Sequence, residues 1–243
     1  MKVSALTKKS LPTPSLSRAK TGRRTVRSYV RREGRMTRAQ RRALKEWLPI
    51  YQLPTDAGPW NFSEVFDRNV PLIMEIGFGD GGSLLQMAAE QPECDFVGVE
   101  VYRPGVGRLL MQAHALGLTN LRVVCEDATD VLLHNVPHGS LTKVLIFFPD
   151  PWPKKRQQKR RLLQTDFVRA VADALVMGGQ VHMATDSEDY AQHMLQVLAT
   201  EPRLSNTAQK YAQRPSYRVA TKYERRGEAL GHSVWDLIFK RVR

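Results

Sequence analysis

Apolar runs of strand length alternate with segments of helical rhythm through most of this 243-residue chain, and that alternation narrows the choice of fold most. The apolar runs are PLIMEIGFG (71–79), DFVGVEVY (95–102), LRVVCED (121–127), KVLIFFPD (143–150) and GQVHMATD (179–186). Helical spacing recurs in SLLQMAAEQ (83–91), RPGVGRLLMQAHALG (103–117), LLQTDFVRAVADAL (162–175) and SEDYAQHMLQVLA (187–199). Leu84, Met87 and Ala88 read as a core-facing stripe, Pro104 and Gly117 punctuate the second helix, and Ser187 is placed to cap the last. Strands apolar on both faces need cover on both, which a βαβ chain supplies by placing helices on either side of a parallel sheet. The expected fold is therefore α/β: a mostly parallel, doubly wound sheet. A further strand, from about Ser233 to Lys240, is expected to pair antiparallel in a terminal hairpin at the sheet's edge.

Charge divides the chain unevenly. The first 45 residues carry fifteen Lys or Arg and one acid, Glu33, so they contribute +14 and the remaining chain −1 to the net +13. Residues 1–45 read as a basic arm, largely disordered and ending in a short helix within TRAQRRALKEWLPIY (37–51); residues 46–243 read as the folded domain. Such an arm fits a polyanionic partner, nucleic acid or an anionic membrane, and also a solubilising leader. It lacks the apolar core of a secretory signal, although its Arg and Ser content also fits an organelle transit peptide. Cys94 and Cys125 read as reduced core residues of a cytoplasmic protein. No run is long enough to cross a membrane. The histidines at 114, 134, 138, 182, 193 and 232 show no metal spacing, and no obligatory protein partner is evident.

EIGFGDGGS (75–83) lies between the first strand and its helix, and Gly77, Gly79 and Gly82 satisfy G-x-G-x-x-G. Glycines there permit a tight turn and close approach of a cofactor to the backbone. Glu100 ends the second strand, where an acid accepts hydrogen bonds from ribose hydroxyls, and Asp127 ends the third. The loop alone fits NAD(H) or S-adenosyl-L-methionine. Carboxylates at 75, 80, 100, 127 and 150, gathered at one sheet edge, favour a ligand with cationic sulfonium and ammonium groups over a pyrophosphate.

In FFPDPWPKKRQQKRR (147–161), Asp150 is clamped between Pro149 and Pro151, which push the segment toward extended form. Trp152 offers a flat surface to stack on a base or to close a pocket. Six basic residues from Lys154 to Arg161 are candidates for phosphate contacts, although a turn followed by a solvated basic face also fits. Asp186 fits either the Watson–Crick edge of a guanine or a helix cap.

The stretches EIGFGDGGS, FFPDPWPKKR with KRR at 159–161, TDSEDYAQHM (185–194) and TKYERRGEALGHSVWDLIF (221–239) resemble the bacterial tRNA (guanine-N7-)-methyltransferase family across residues 65–241. The resemblance implies a Rossmann-like class I methyltransferase that uses S-adenosyl-L-methionine to make 7-methylguanosine in the tRNA variable loop, at position 46. It implies that Glu75, Glu100, Asp127 and Asp150 contact the cofactor alongside Gly77 and Gly79, and that Asp150 serves catalysis. It further implies that Lys154, Asp186, Thr221, Lys222, Tyr223 and Glu224 contact tRNA, the last four within a loop at 221–228.

Overall fold

The computed structural model describes residues 34–219, 224 and 233–243. The arm before Gly34 and most of the loop at 221–228 lie outside the described residues. The described chain begins with helices α1 (Arg38–Glu46), α2 (Leu48–Tyr51) and α3 (Phe62–Phe66). It continues β1 (Leu72–Ile76), α4 (Gly82–Glu90), β2 (Asp95–Val99), α5 (Arg103–Ala115), β3 (Leu121–Val124) and α6 (Ala128–His134). Then come β4 (Leu141–Phe147), a 3₁₀ turn (Lys155–Arg160), α7 (Thr165–Ala174), β5 (Leu175–Thr185), α8 (Glu188–Ala199), β6 (Leu204–Asn206) and β7 (Trp235–Arg241).

The seven strands lie in the order β3-β2-β1-β4-β5-β7-β6. Strands β1 to β5 pair in parallel, and β7 runs antiparallel to both β5 and β6. The terminal strand is thus antiparallel as expected, but it lies inside the sheet: the three-residue β6, too short to stand out in the sequence, forms the edge. Strand order reverses between β1 and β4, and ligands of open α/β sheets bind outside the strand ends at such a reversal.

Side-chain parity sorts the core into two layers. Leu72, Met74, Ile76, Val144, Ile146, Val181, Met183 and Leu237 face α6, α7 and α8. Ile73, Phe96, Leu145 and Phe147 face the layer of α1, α4 and α5. Helix α1 starts from a capping box in which the Thr37 side chain and Gln40 satisfy each other's backbone donors. Its buried Ala43 and Leu44 join the second layer, and Gln40 Nε2 donates to Pro104 O at 3.1 Å. The helix expected at the end of the arm is therefore docked on the body.

Gly105 opens α5 directly against the glycine loop. A Cβ at this position would lie 1.8 Å from Gly79 O, so only glycine lets the second helix start this close to the first loop. Gly105→Ala is expected to push α5 from the loop and to destabilise the fold by about 2 kcal/mol or more. Denaturant unfolding checks this, and an unchanged midpoint would refute the contact.

Candidate active site

The loop after β1 passes through three left-handed residues, Gly77 (φ 76°), Gly79 (φ 60°) and Gly81 (φ 79°). Space is open beside Gly77 and Gly79, whereas a Cβ on Gly81 would lie 2.8 Å from Leu109 Cβ. Gly81 is the N-cap of α4 and Gly82 already lies in the helix. The third glycine that the backbone needs is therefore Gly81, not the Gly82 of the spacing pattern.

Glu75 has the parity of Ile73 and is buried, 3% exposed, with Oε2 lacking any hydrogen-bond partner. Burial, with the fields of Glu100 and Asp80 adding to it, raises its pKa from 4.5 to about 8. Glu100 is also buried. Its Oε2 accepts from Gly79 N and its Oε1 from Tyr102 N, each at 2.8 Å, so it ties the glycine loop to the end of β2. Burial raises the Glu100 pKa against these backbone bonds, and the charge of Asp150 pushes it the same way. The two acids thus feel each other across the β1–β4 reversal.

Asp127 caps α6, its Oδ1 accepting from Thr129 N at 2.8 Å. It stands beyond β3 and is half-buried. Asp80 pairs with Arg108 at 3.3 Å and so brings less negative field than its position in the loop implied.

After β4 the chain passes Phe148 (φ 51°) and Trp152 (φ 44°), both left-handed, on either side of Pro149, Asp150 and Pro151. The extended form expected from the prolines is broken at both of these residues, and Asp150 is left exposed between them. Phe148 N donates to Ala184 O of β5 at 2.8 Å, and Arg161 Nε donates to Pro151 O at 2.9 Å. Arg161 is 3% exposed, lies 4.8 Å from the Tyr190 ring centroid and is paired with Asp189. It is therefore a brace for the Asp150 segment, not the phosphate contact its place in the basic tract implied. Lys154, Lys155, Arg156 and Lys159 remain exposed. The Arg160 guanidinium covers Trp152, 5.3 Å from the ring centroid.

Asp186 follows β5 and is exposed, while the cap of α8 is Ser187, whose Oγ accepts from Tyr190 N at 3.4 Å. The cap alternative for Asp186 is thereby removed. Thr221, Lys222 and Tyr223 lie outside the described residues. Glu224 is 1% exposed and held by Arg218 through bonds of 2.6 and 2.7 Å. Gly105, Arg218 and Asp236 support the site but were missed in the sequence, and Arg161 was read there as a phosphate contact, because nothing local marks a contact made across the fold.

Glu75, with a bare buried oxygen beside open glycine backbone, fits a cationic group. Without one, the proton stays on the acid. Native Glu75 binds its proton more tightly than an unfolded glutamate with a pKa near 4.5, so its contribution to stability is fully present below that value and is lost as pH rises through about 8. Glu75→Gln, which mimics the protonated acid, is expected to lose less thermal stability than the native chain between about pH 5 and pH 8. Parallel melting curves would rule this out.

The profile described as "Putative methyltransferase" matches residues 69–237. The tRNA (guanine-N(7)-)-methyltransferase of Saccharophagus degradans is 49% identical over 221 residues, 90% of this chain and 96% of that protein. The enzyme of the same name from Idiomarina loihiensis is 51% identical over 219 residues, covering 89% of each chain. Among solved structures, the 16S rRNA methyltransferase KamB superposes with a TM-score of 0.57 at 16% identity, over 75% of this chain and 93% of its own. The 16S rRNA (adenine(1408)-N(1))-methyltransferase of Catenulisporales acidiphilia gives 0.54 at 15% identity, over 79% and 94%. These two structures share the fold.

Proposed function

The chain belongs to the tRNA (guanine-N(7)-)-methyltransferase family, and on that premise we propose that it methylates N7 of a guanosine in the variable loop of tRNA. S-adenosyl-L-methionine supplies the methyl as an electrophile on a sulfonium when bound. The observation that supports this reading is the buried Glu75, whose Oε2 has no partner among the described residues, at the rim of an open glycine loop, with Glu100 beside it and Asp150 just beyond β4.

Each residue then has a role set by its chemistry. Gly77 and Gly79 admit the donor to the backbone, Glu75 and Glu100 hold its cationic and hydroxyl groups, and Asp127 borders the same edge. Guanine N7 carries a lone pair and no proton, so no side chain has a proton to remove there. What remains is to align the base and to stabilise the positive charge that passes to the purine. An exposed carboxylate on a braced segment does both, which assigns Asp150. Lys154 and its exposed neighbours receive phosphates, Asp186 faces the donor edge of the guanine, and Thr221 to Glu224 complete the tRNA contact.

The arm before Gly34 adds further phosphate contacts, so the chain works as a basic arm joined to a methyltransferase domain. No described helix is long and apolar enough to cross a membrane. A tRNA substrate and two cysteines that form no disulfide support a cytoplasmic enzyme.

Methyl transfer from radiolabelled S-adenosyl-L-methionine to unmodified tRNA, followed by nucleoside analysis, is expected to yield 7-methylguanosine, lost when the target guanosine is replaced. Asp150→Asn is expected to lower kcat on saturating tRNA about a hundredfold. No label in tRNA would overturn the function, and near-native kcat would remove the role of Asp150. Deleting residues 1–35 is expected to weaken tRNA binding and flatten its dependence on salt, which Kd measured over a salt series reads directly.

A further inference from the structure

The chain that leaves β4 carries the exposed Asp150, and the chain that leaves the neighbouring β5 carries the exposed Asp186. These two stretches are tied to each other at two places. Ahead of both acids, Phe148 N donates to Ala184 O at 2.8 Å. Beyond both acids, Arg161 reaches the two chains at once: its Nε donates to Pro151 O at 2.9 Å, and its Nη2 pairs with Asp189. Each acid therefore lies between the same two cross-ties.

The setting of Arg161 suits a bracket better than a stabilising ion pair. Its side chain is 2% exposed while that of Asp189 is 67% exposed, so the pair joins a desolvated cation to an anion in water. A buried guanidinium held by a hydrated carboxylate gains little against its own desolvation. What the planar fork supplies is geometry, because Nε and Nη2 point in fixed directions and hold two acceptors at one separation. The Tyr190 ring, 4.8 Å from the guanidinium, walls it on the α8 side. His193 of α8 donates from Nε2 to Leu163 O at 2.9 Å and so holds the chain that carries Arg161, while Thr185 Oγ1 accepts from Ser187 N at 3.2 Å and closes the turn around Asp186.

We infer that Arg161 is a positioning residue for base recognition: it holds Asp150 and Asp186 at one separation, so that both carboxylates act on the same guanine. The inference rests on the reading that these two acids meet the target base. Guanine is rigid and planar, and N7 lies across the ring system from N1 and the 2-amino group. A pocket that uses both edges must hold its two contacts at a fixed spacing, and a misplacement of about 1 Å costs about a hundredfold in rate. Arg161 does this from within the fold, closed off from the tRNA phosphates that its exposed neighbours receive.

The test is tRNA methylation by the full chain carrying Arg161→Gln, Asp150→Asn or both, with melting temperature and with tRNA Kd over a salt series. Arg161→Gln is expected to lower kcat on saturating tRNA about ten- to hundredfold and to leave the salt slope of binding native. It is also expected to reduce the preference for guanosine over inosine, which lacks the 2-amino donor, at the target position. The double variant is expected to lose less than the product of the two single losses. Near-native kcat, losses that multiply, an unchanged preference for guanosine or a flattened salt slope would each overturn the inference, the last by making Arg161 a phosphate contact. Should Arg161→Gln fail to fold, Asp189→Ala cuts the tie from its exposed side, with the same pattern expected at smaller size and the same results against it. Native enzyme that does not methylate tRNA would instead refute the functional reading on which the inference stands.

Discussion

A carboxylic acid buried without a counter-charge is the constraint around which the cleft is arranged. Among the described residues no cation acts on Glu75, and the neighbours that do, Glu100 and Asp80, are acids that raise its pKa further. A buried arginine would have relieved the strain of charge, as it does elsewhere in this protein. Its absence among the described contacts of Glu75 leaves two ways to satisfy the oxygen: a proton from water or a cationic ligand. Glu75 is thus a weakly stabilised group that holds its proton up to about pH 8. The glycine loop leaves open space beside Gly77 and Gly79, next to the acid in the chain.

The two halves of one sheet face solve burial differently. Over β1, β2 and β3 it is closed by helices through apolar contacts such as Leu84, Leu109 and Phe96. Toward β5 and β7 it is closed by an irregular segment, and a loop brings polar backbone and few apolar side chains. The strands there carry His182 and Asp236 in place of aliphatic residues; these bond each other at 2.7 Å, and Tyr217 and Arg218 of the segment bond His182 Nδ1 and Asp236 Oδ2. Polar complementarity fixes the register of the loop where apolar packing would leave it free to slide. The result is a rigid floor at the sheet edge where Asp186 emerges.

The parallel sheet was legible because its signal is local: each apolar run and each helical repeat lies within one stretch of chain. For the same reason the ends of the strands, and with them Glu75, Glu100, Asp127, Asp150 and Asp186, could be placed along one edge. Helix α6 was not anticipated, since its seven residues start only three residues after β3 and its cap, Asp127, had been read for its charge alone. The short β6 offered too few residues to alternate, so β7 was taken for the edge. Arg161 shows the deeper limit. In the sequence it is the last of six similar cations, and only the fold shows that this one turns inward to Pro151 and Tyr190 while its neighbours stay in water. Arg218 and Glu224 are a like case, because a pairing between a loop and two strands leaves no periodicity to read.

Position, more than acidity, is what the segment around Asp150 provides. Phe148 and Trp152 hold left-handed backbone without being glycine, which costs about 1–3 kcal/mol each and persists only where the surroundings hold it. Here the bond from Phe148 N to Ala184 O holds one end, and Arg161 on Pro151 O holds the other. Asp150 is exposed within this segment, whereas Glu75 and Glu100 are buried. A reaction at guanine N7 asks for no proton acceptor, only for negative charge in a fixed place as the purine becomes cationic. Backbone strain held by two anchors supplies that fixity, since a carboxylate that need not reorganise stabilises developing charge more than one that must swing into place.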